Sequence, residues 1–229
     1  MNRRRLLLLL LIPFLLWLMV QAAIGGYSYV IQYRANGVLD GWQKSPGQLS
    51  QQAWQEVEAS VLAALSWDKE QPDLINLLGR LHDLHTFRLS RAMEQKQQHM
   101  QQAEHYYRQV IKLRPAWPYG YLNLAHIKTA SGSRDSEFYN LLLHLTRLAP
   151  WDEKTLPLMV QMLTRSWPYM DSEERSQLQP YLLQVANQRP NDVKRALQKS
   201  GTVTYFCAKI IGRQPTKLCG NMMINSEVK

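Results

Sequence analysis

Apolar positions along this chain fall into two regimes. From Leu6 through Tyr33 the run "LLLLLLIPFLLWLMVQAAIGGYSYVIQY" holds 28 residues without a charge. From Leu49 onward, apolar residues instead return every three to four positions between polar ones, the period of one-faced helices. The first regime predicts a single N-terminal transmembrane helix, since about 20 apolar residues cross a bilayer. Pro13 is tolerated in such a span. "VQA" at Val20 to Ala22 has the small residues of a signal-peptide cleavage site, but the apolar run exceeds a usual signal core of about 7–15 residues and continues past that site. An uncleaved anchor is therefore the favoured expectation, and either reading exports the body.

Three arginines set the orientation. Arg3, Arg4 and Arg5 flank the span and hold its N-terminal end in the cytoplasm, because basic residues resist translocation. The body is expected on the far side, which in a bacterium is the periplasm. "IGGYS", Ile24 to Ser28, holds small residues that permit close helix approach within the membrane.

Beyond the span, the pattern divides the chain into a linker over 34–48, rich in Gly and polar residues, an all-α domain over 49–200, and a tail over 201–229. "LSQQAWQEVEASVLAALSW" places Ala53, Trp54, Val57, Val61, Ala64 and Leu65 on one face. "PDLINLLGRLHDLHTFRLSRAM" starts with Pro72 at a helix N-terminus and stripes Leu74, Leu77, Leu78, Leu81 and Leu84. The Gln-rich segment "EQKQQHMQQAEHYYRQVIKLR" has its apolar side in Met100, Ala103, Tyr107, Val110 and Ile111.

Three amphipathic runs then end alike. "YYRQVIKLRPAW", "NLLLHLTRLAPWD" and "YLLQVANQRPND" close on Pro115, Pro150 and Pro190, separated by 35 and 40 residues. Each proline disfavours helix in the residue before it and suits the next first turn. A period near 34 residues is that of tetratricopeptide-like helical repeats, an α-solenoid. Ala103, Tyr107 and Val110 precede Pro115 at 12, 8 and 5 positions, approximating the small–aromatic–small pattern of such a repeat. Tyr121, Leu124 and Ala125 fill corresponding slots in the following helix, and Gly79 fits a small slot where two helices approach closely.

Aromatic clusters sit at two of the predicted joints. Trp117, Tyr119 and Tyr121 form one, and Trp167 and Tyr169 the other, each around a "WPY" tripeptide. Buried, they are core between helix pairs; exposed, they would anchor a partner chain or stack on sugar rings.

Charge and cysteines refine the picture without adding a reaction. Residues 34–229 carry 24 Lys and Arg against 18 Asp and Glu, dispersed along the chain, which suits solvated helical surfaces and offers no basic patch for nucleic acid. Cys207 and Cys219, the only cysteines, read as one disulfide formed in an oxidising compartment. "HDLH" sets His82 and His85 on one helical face, half of a metal site with no third ligand in sequence. His99 and His105 are expected in solvent, and His126 and His144 within packed helices. No nucleophile elbow, phosphate loop, dinucleotide fingerprint or zinc-protease helix occurs. Asp152–Glu153 and "DSEE", Asp171 to Glu174, are better explained as helix starts than as acid–base pairs. The expectation is a non-enzyme with no cofactor and no bound metal. In the tail, Gly201 is expected to stop the last helix, "TVTYFCAKII" to run extended against the body, and 221–229 to fray.

A family resemblance joins these features. The single span, "RPAWPYGYLNLAHIK" at 114–128, "APWDEKTLPLMV" at 149–160 and the late Cys207/Cys219 pair resemble the VpsP family. These are membrane-anchored, repeat-like proteins associated with bacterial exopolysaccharide biosynthesis. The Gln-rich stretch 88–102 is longer than a compact repeat needs. The resemblance implies an accessory role at the inner membrane, with protein components of a polysaccharide synthesis and export complex as partners. It implies no catalytic residue. A glycan-binding module using the Trp/Tyr clusters and a general cell-envelope scaffold remain the alternatives.

Overall fold

A computed structural model describes residues 3–212 and 214–220, with side chains from residue 11 onward. The fraying expected for 221–229, and the side chains of Arg3, Arg4 and Arg5, lie outside the described residues. The described chain is all-α, with no strand. It divides into two units, Met1–Leu113 and Arg114–Lys229.

The first unit is built on α1, Arg3–Lys44, which is long and apolar enough to cross a membrane. Its residues from Leu11 through Ala23 are exposed. A buried stripe then develops through Ser28, Ala35, Leu39 and Trp42, with Ile24 and Ile31 half-buried on the same side. The linker expected over 34–48 is therefore a correction. Its first part is helix as far as Lys44, and three of its side chains belong to the hydrophobic core. Composition misled because Gly37 and Gly41 lie outside the buried stripe, while Ala35, Leu39 and Trp42 keep the helical period.

A turn at Pro46–Gln48 leads to α2, Gln51–Trp67, and α3, Pro72–Arg88, follows. Ser50 caps α2 by accepting from the Ala53 N–H, and the Gln71 side chain accepts from the Leu74 N–H ahead of α3. Pro72 stands at the first position of α3, where its missing N–H costs no helical bond. Trp54, Val61 and Ala64 of α2 meet Leu74, Leu77, Leu78 and Leu81 of α3, the stripes expected from the spacing. The Trp54 indole also donates to the Leu81 carbonyl at 2.9 Å. The Gln-rich segment forms α4, Met93–Leu113, with Ala103, Tyr107 and Val110 buried. At Gly79, α3 and α4 approach so closely that a Cβ would stand 2.5 Å from Tyr107 Cε1.

The second unit runs through α5 (Pro118–Ser131), α6 (Ser136–Leu148), α7 (Thr155–Ser166), α8 (Ser172–Gln188) and α9 (Pro190–Ser200). Helix α5 packs on α6 and α7, α6 on α8, and α9 on α7 and α8. Gly132 and Gly201 end α5 and α9 at φ 76° and 68°, in the left-handed region that favours glycine. Asp171 and Glu174 form the capping box that "DSEE" suggests. Lys128 is buried at the α5–α6 turn, where its ammonium lies 2.8 Å from both Asp135 and Glu137.

The tail corrects a second expectation. "TVTYFCAKII" is not extended: α10, Val203–Tyr205, continues as a π-helical stretch over Phe206–Ile211. Phe206, Cys207, Ile210 and Ile211 are buried at helical spacing. Packing has overridden the strand preference of its β-branched and aromatic residues. Cys207 and Cys219 form the expected disulfide. Two hydrogen bonds to α8 hold the tail as well: Gln179 donates to the Ile210 carbonyl, and Asn187 accepts from the Lys217 N–H.

Candidate functional site

Two helices of the second unit enclose an open cleft of about 570 Å³. Its walls come from α7 and α9, and each wall depends on how its helix begins. Asp152 accepts from the N–H groups of Lys154 and Thr155, starting α7 and setting Leu156, Pro157 and Leu158 along one side. Pro190 starts α9, with Arg189 immediately before it and Asp192, Arg195, Ala196 and Lys199 lining the other side. Gln161 ties the walls together by donating to the Ala196 carbonyl at 3.0 Å.

Charge in the cleft is organised around one carboxylate. Arg189 Nε donates to Asp192 at 2.7 Å, and Arg195 pairs with the other oxygen of the same group. These hydrogen bonds hold the Asp192 carboxyl below the usual carboxylate range. Glu153 lies 3.9 Å from Arg189 on the rim, and Lys199 adds a third cation. Cations thus outnumber carboxylates beside an apolar wall that includes Leu158, which is 41 % exposed. The arrangement suits recognition of an acidic ligand with an apolar side. Guanidinium groups present fixed forks of donors that match carboxylates.

The predicted aromatic residues divide. Trp117 and Tyr119 come together edge to face, with ring centroids 5.2 Å apart, and both are half-buried. The Tyr119 hydroxyl donates to Asp152 at 3.4 Å, which joins this pair to the residue beside Glu153 on the cleft rim. Burial and Asp152 together push the Tyr119 hydroxyl up in pKa. Tyr121 turns elsewhere: its hydroxyl donates to the Pro115 carbonyl, and its ring rests 4.5 Å from that of His144. Trp167 is buried, with its carbonyl accepting from Arg175. Tyr169 is 65 % exposed, but the Arg134 guanidinium sits 4.3 Å over its ring. Arg114 lies 5.7 Å over Trp117. The five aromatics therefore form no common platform of free ring faces.

The first unit holds a constellation that sequence reasoning missed. The "HDLH" pair of α3 is joined by His99 from α4 and by Glu58, Trp54 and Gln51 from α2. His99, expected in solvent, is half-buried with its ring 3.6 Å from that of His85. His82 Nε2 lies 3.2 Å from Glu58, and its Nδ1 lies 2.8 Å from His99 Nδ1. His85 reaches Ser90 and Gln51, each at 2.9 Å. Trp54 meets all three imidazoles edge to face, and Tyr106 stacks on His82.

One proton on each ring satisfies this network. His82 donates to Glu58, His99 donates to His82, and His85 donates to Gln51 while accepting from Ser90. A second proton on His99 or His85 is opposed. Burial, followed by His85 and His82, brings His99 down to about 4; burial and His82 lower His85. Among the described residues, no group of three His, Cys, Asp or Glu side chains is arranged to hold a metal ion. The pair alone could not announce the cluster, because its other members come from two further helices.

No known family model and no curated protein matches this chain.

Proposed function

We propose that this chain is a bitopic inner-membrane protein without catalytic activity, whose periplasmic body binds a protein component of a bacterial exopolysaccharide synthesis and export system. The observation that carries this reading is the α7–α9 cleft, where Arg189, Arg195 and Lys199 stand beside an apolar wall. An acidic, partly apolar segment of a partner chain fits that chemistry. The exposed apolar part of α1 supports the anchor, and the Cys207–Cys219 disulfide suits an oxidising compartment. The packed pairs α3–α4 and α5–α6 support tetratricopeptide-like repeats, a class of surface that commonly binds other chains. The polysaccharide pathway comes from the VpsP resemblance. Direct sugar stacking is disfavoured, because Trp167 is buried and Arg134 covers one face of Tyr169.

Photocrosslinking in the native host tests the reading. A crosslinking amino acid at Leu158 is expected to capture a component of the polysaccharide machinery, and Arg195→Glu with Lys199→Glu to reduce the adduct at least about tenfold, the loss of two charge-assisted contacts. Deletion of the gene is expected to change the amount or chain length of the polymer. No adduct together with an unchanged polymer would overturn the proposal.

A further inference from the structure

The first unit contains an exposed tryptophan whose height along α1 can be worked out. Trp67 closes α2 and is 69 % exposed, beside the turn that leads into α3. On α1, Leu6 to Gly25 make about 30 Å of helix at 1.5 Å per residue, the thickness of a hydrocarbon core. The headgroup layer adds about 5–7 Å beyond that, which is the level of residues 26–30, counted at the same rise. The buried stripe on α1 begins at this height, with Ile24 half-buried and Ser28 buried. Tyr27 and Tyr29 are exposed there, and Tyr33 is exposed just above.

Two registers in series, α3 on α1 and then α2 on α3, place the α2–α3 turn at this level. The short connection after α1 reverses the chain, so α2 descends toward the span and α3 climbs again. Arg80 of α3 donates to Asn36 at 2.5 Å and to Asp40 at 3.3 Å, which sets residue 80 level with the middle of that α1 pair. Pro72 begins α3 about 12 Å below, near residue 30 of α1. The Trp54–Leu81 hydrogen bond sets the other register. Trp67 lies about 20 Å below Trp54 along α2, near residue 26 of α1.

From this geometry we infer that the α2–α3 turn rests in the headgroup layer of the leaflet on the body's side, with Trp67 inserted at the interface beside Tyr27 and Tyr29. The inference rests on reading α1 as a membrane span. Tryptophan and tyrosine favour this zone because one end of the ring system is apolar and the other donates to water or headgroups. The turn also carries Asp68, Lys69, Glu70 and Asp73. Its acidic balance makes the contact interfacial and apolar rather than an attraction to anionic lipid. The first unit is thereby held at two points, by α1 and by the turn, which fixes its tilt on the bilayer.

Spin labels on the full chain in nanodiscs of phosphatidylethanolamine with a minority of phosphatidylglycerol test this. The native cysteines are paired, so single labels can be placed at Leu16→Cys in the span, Trp67→Cys at the turn and Met93→Cys at the opposite end of the unit. Accessibility to oxygen and to a water-soluble nickel chelate reports depth. The expected order is 16 deepest, 67 at headgroup depth and 93 in water, with nickel contact at 67 several-fold below that at 93 and little changed by salt. If 16 is in lipid but 67 meets nickel as freely as 93, the turn stands clear and the inference fails while the anchor survives. Shielding of 67 from both reagents would mean a protein partner covers it, and also overturns the inference. Water access at 16 would defeat the anchor and the inference together. Trp67→Phe gives an independent reading: it is expected to remove part of the tryptophan fluorescence quenched by phospholipids brominated near the glycerol, and an unchanged quenched share counts against insertion.

Discussion

Gly79 shows how a single missing methyl group sets the distance between two helices. An alanine Cβ there would lie 2.5 Å from Tyr107 Cε1 and 2.8 Å from Cδ1, and Tyr107 is fully buried. Gly79→Ala is expected to cost about 1–3 kcal/mol, the usual range for overpacking. Denaturant melts would show a lower midpoint, and Tyr107→Leu in the same chain should recover part of the loss. The histidine cluster makes a different prediction. His85 and His99 hold their second proton less readily when folded, so the unfolded chain takes up more protons as pH falls below their ordinary 6.5. Their contribution is present above pH 6.5 and is lost progressively toward pH 4. Glu58, facing His82, opposes this loss, and Tyr106 stays uncharged throughout that window. His99→Asn is expected to lower stability by about 1 kcal/mol at neutral pH, the worth of one hydrogen bond. It should also flatten the fall in melting temperature between pH 6.5 and 4. A parallel fall in both proteins would sink this account.

At the scale of elements, helix ends were more legible than the character of the tail. Pro72 and Pro190 begin helices, Gly201 ends one, and Asp171 to Glu174 cap another, because terminal chemistry depends on neighbouring residues, whereas α5 and α7 begin at Pro118 and Thr155 and not at Pro115 and Pro150. The segment 203–211 was harder to read. A short run such as "TVTYFCAKII" satisfies strand preference locally, while burial against the body decides its backbone. The disulfide then retains what packing has placed. Replacing Cys207 and Cys219 by serine is expected to destabilise the tail by about 2–3 kcal/mol, the loop-entropy value for a closure of this length. Limited proteolysis should cut the variant faster in the tail while the helical far-ultraviolet signal persists. Equal cleavage rates would show that the contacts to α8 suffice without the bond.

At the scale of the molecule, α1 carries its apolar run directly into the core of the first unit. That continuity makes the apolar helix and the unit one mechanical piece, and it underlies the proposed seating of Trp67 on the membrane. The prediction belongs to this scale because no local motif around Trp67 encodes its height; the registers of α2 and α3 against α1 do. The cleft likewise unites Glu153 and Lys199 only because α7 and α9 pack together, and His99 meets His82 only because α4 returns along α3. By itself the sequence determined the all-α class, the apolar helix, the helical stripes, most helix ends and the cysteine pairing, since each follows from periodicity, cap chemistry or the presence of just two cysteines. Tertiary structure decided the fate of 34–48, the helical tail, the parting of Trp167 from Tyr169, the histidine cluster and the cleft. The physical reason is shared: local preferences at these places are weak or ambiguous, and burial against residues distant in sequence settles them.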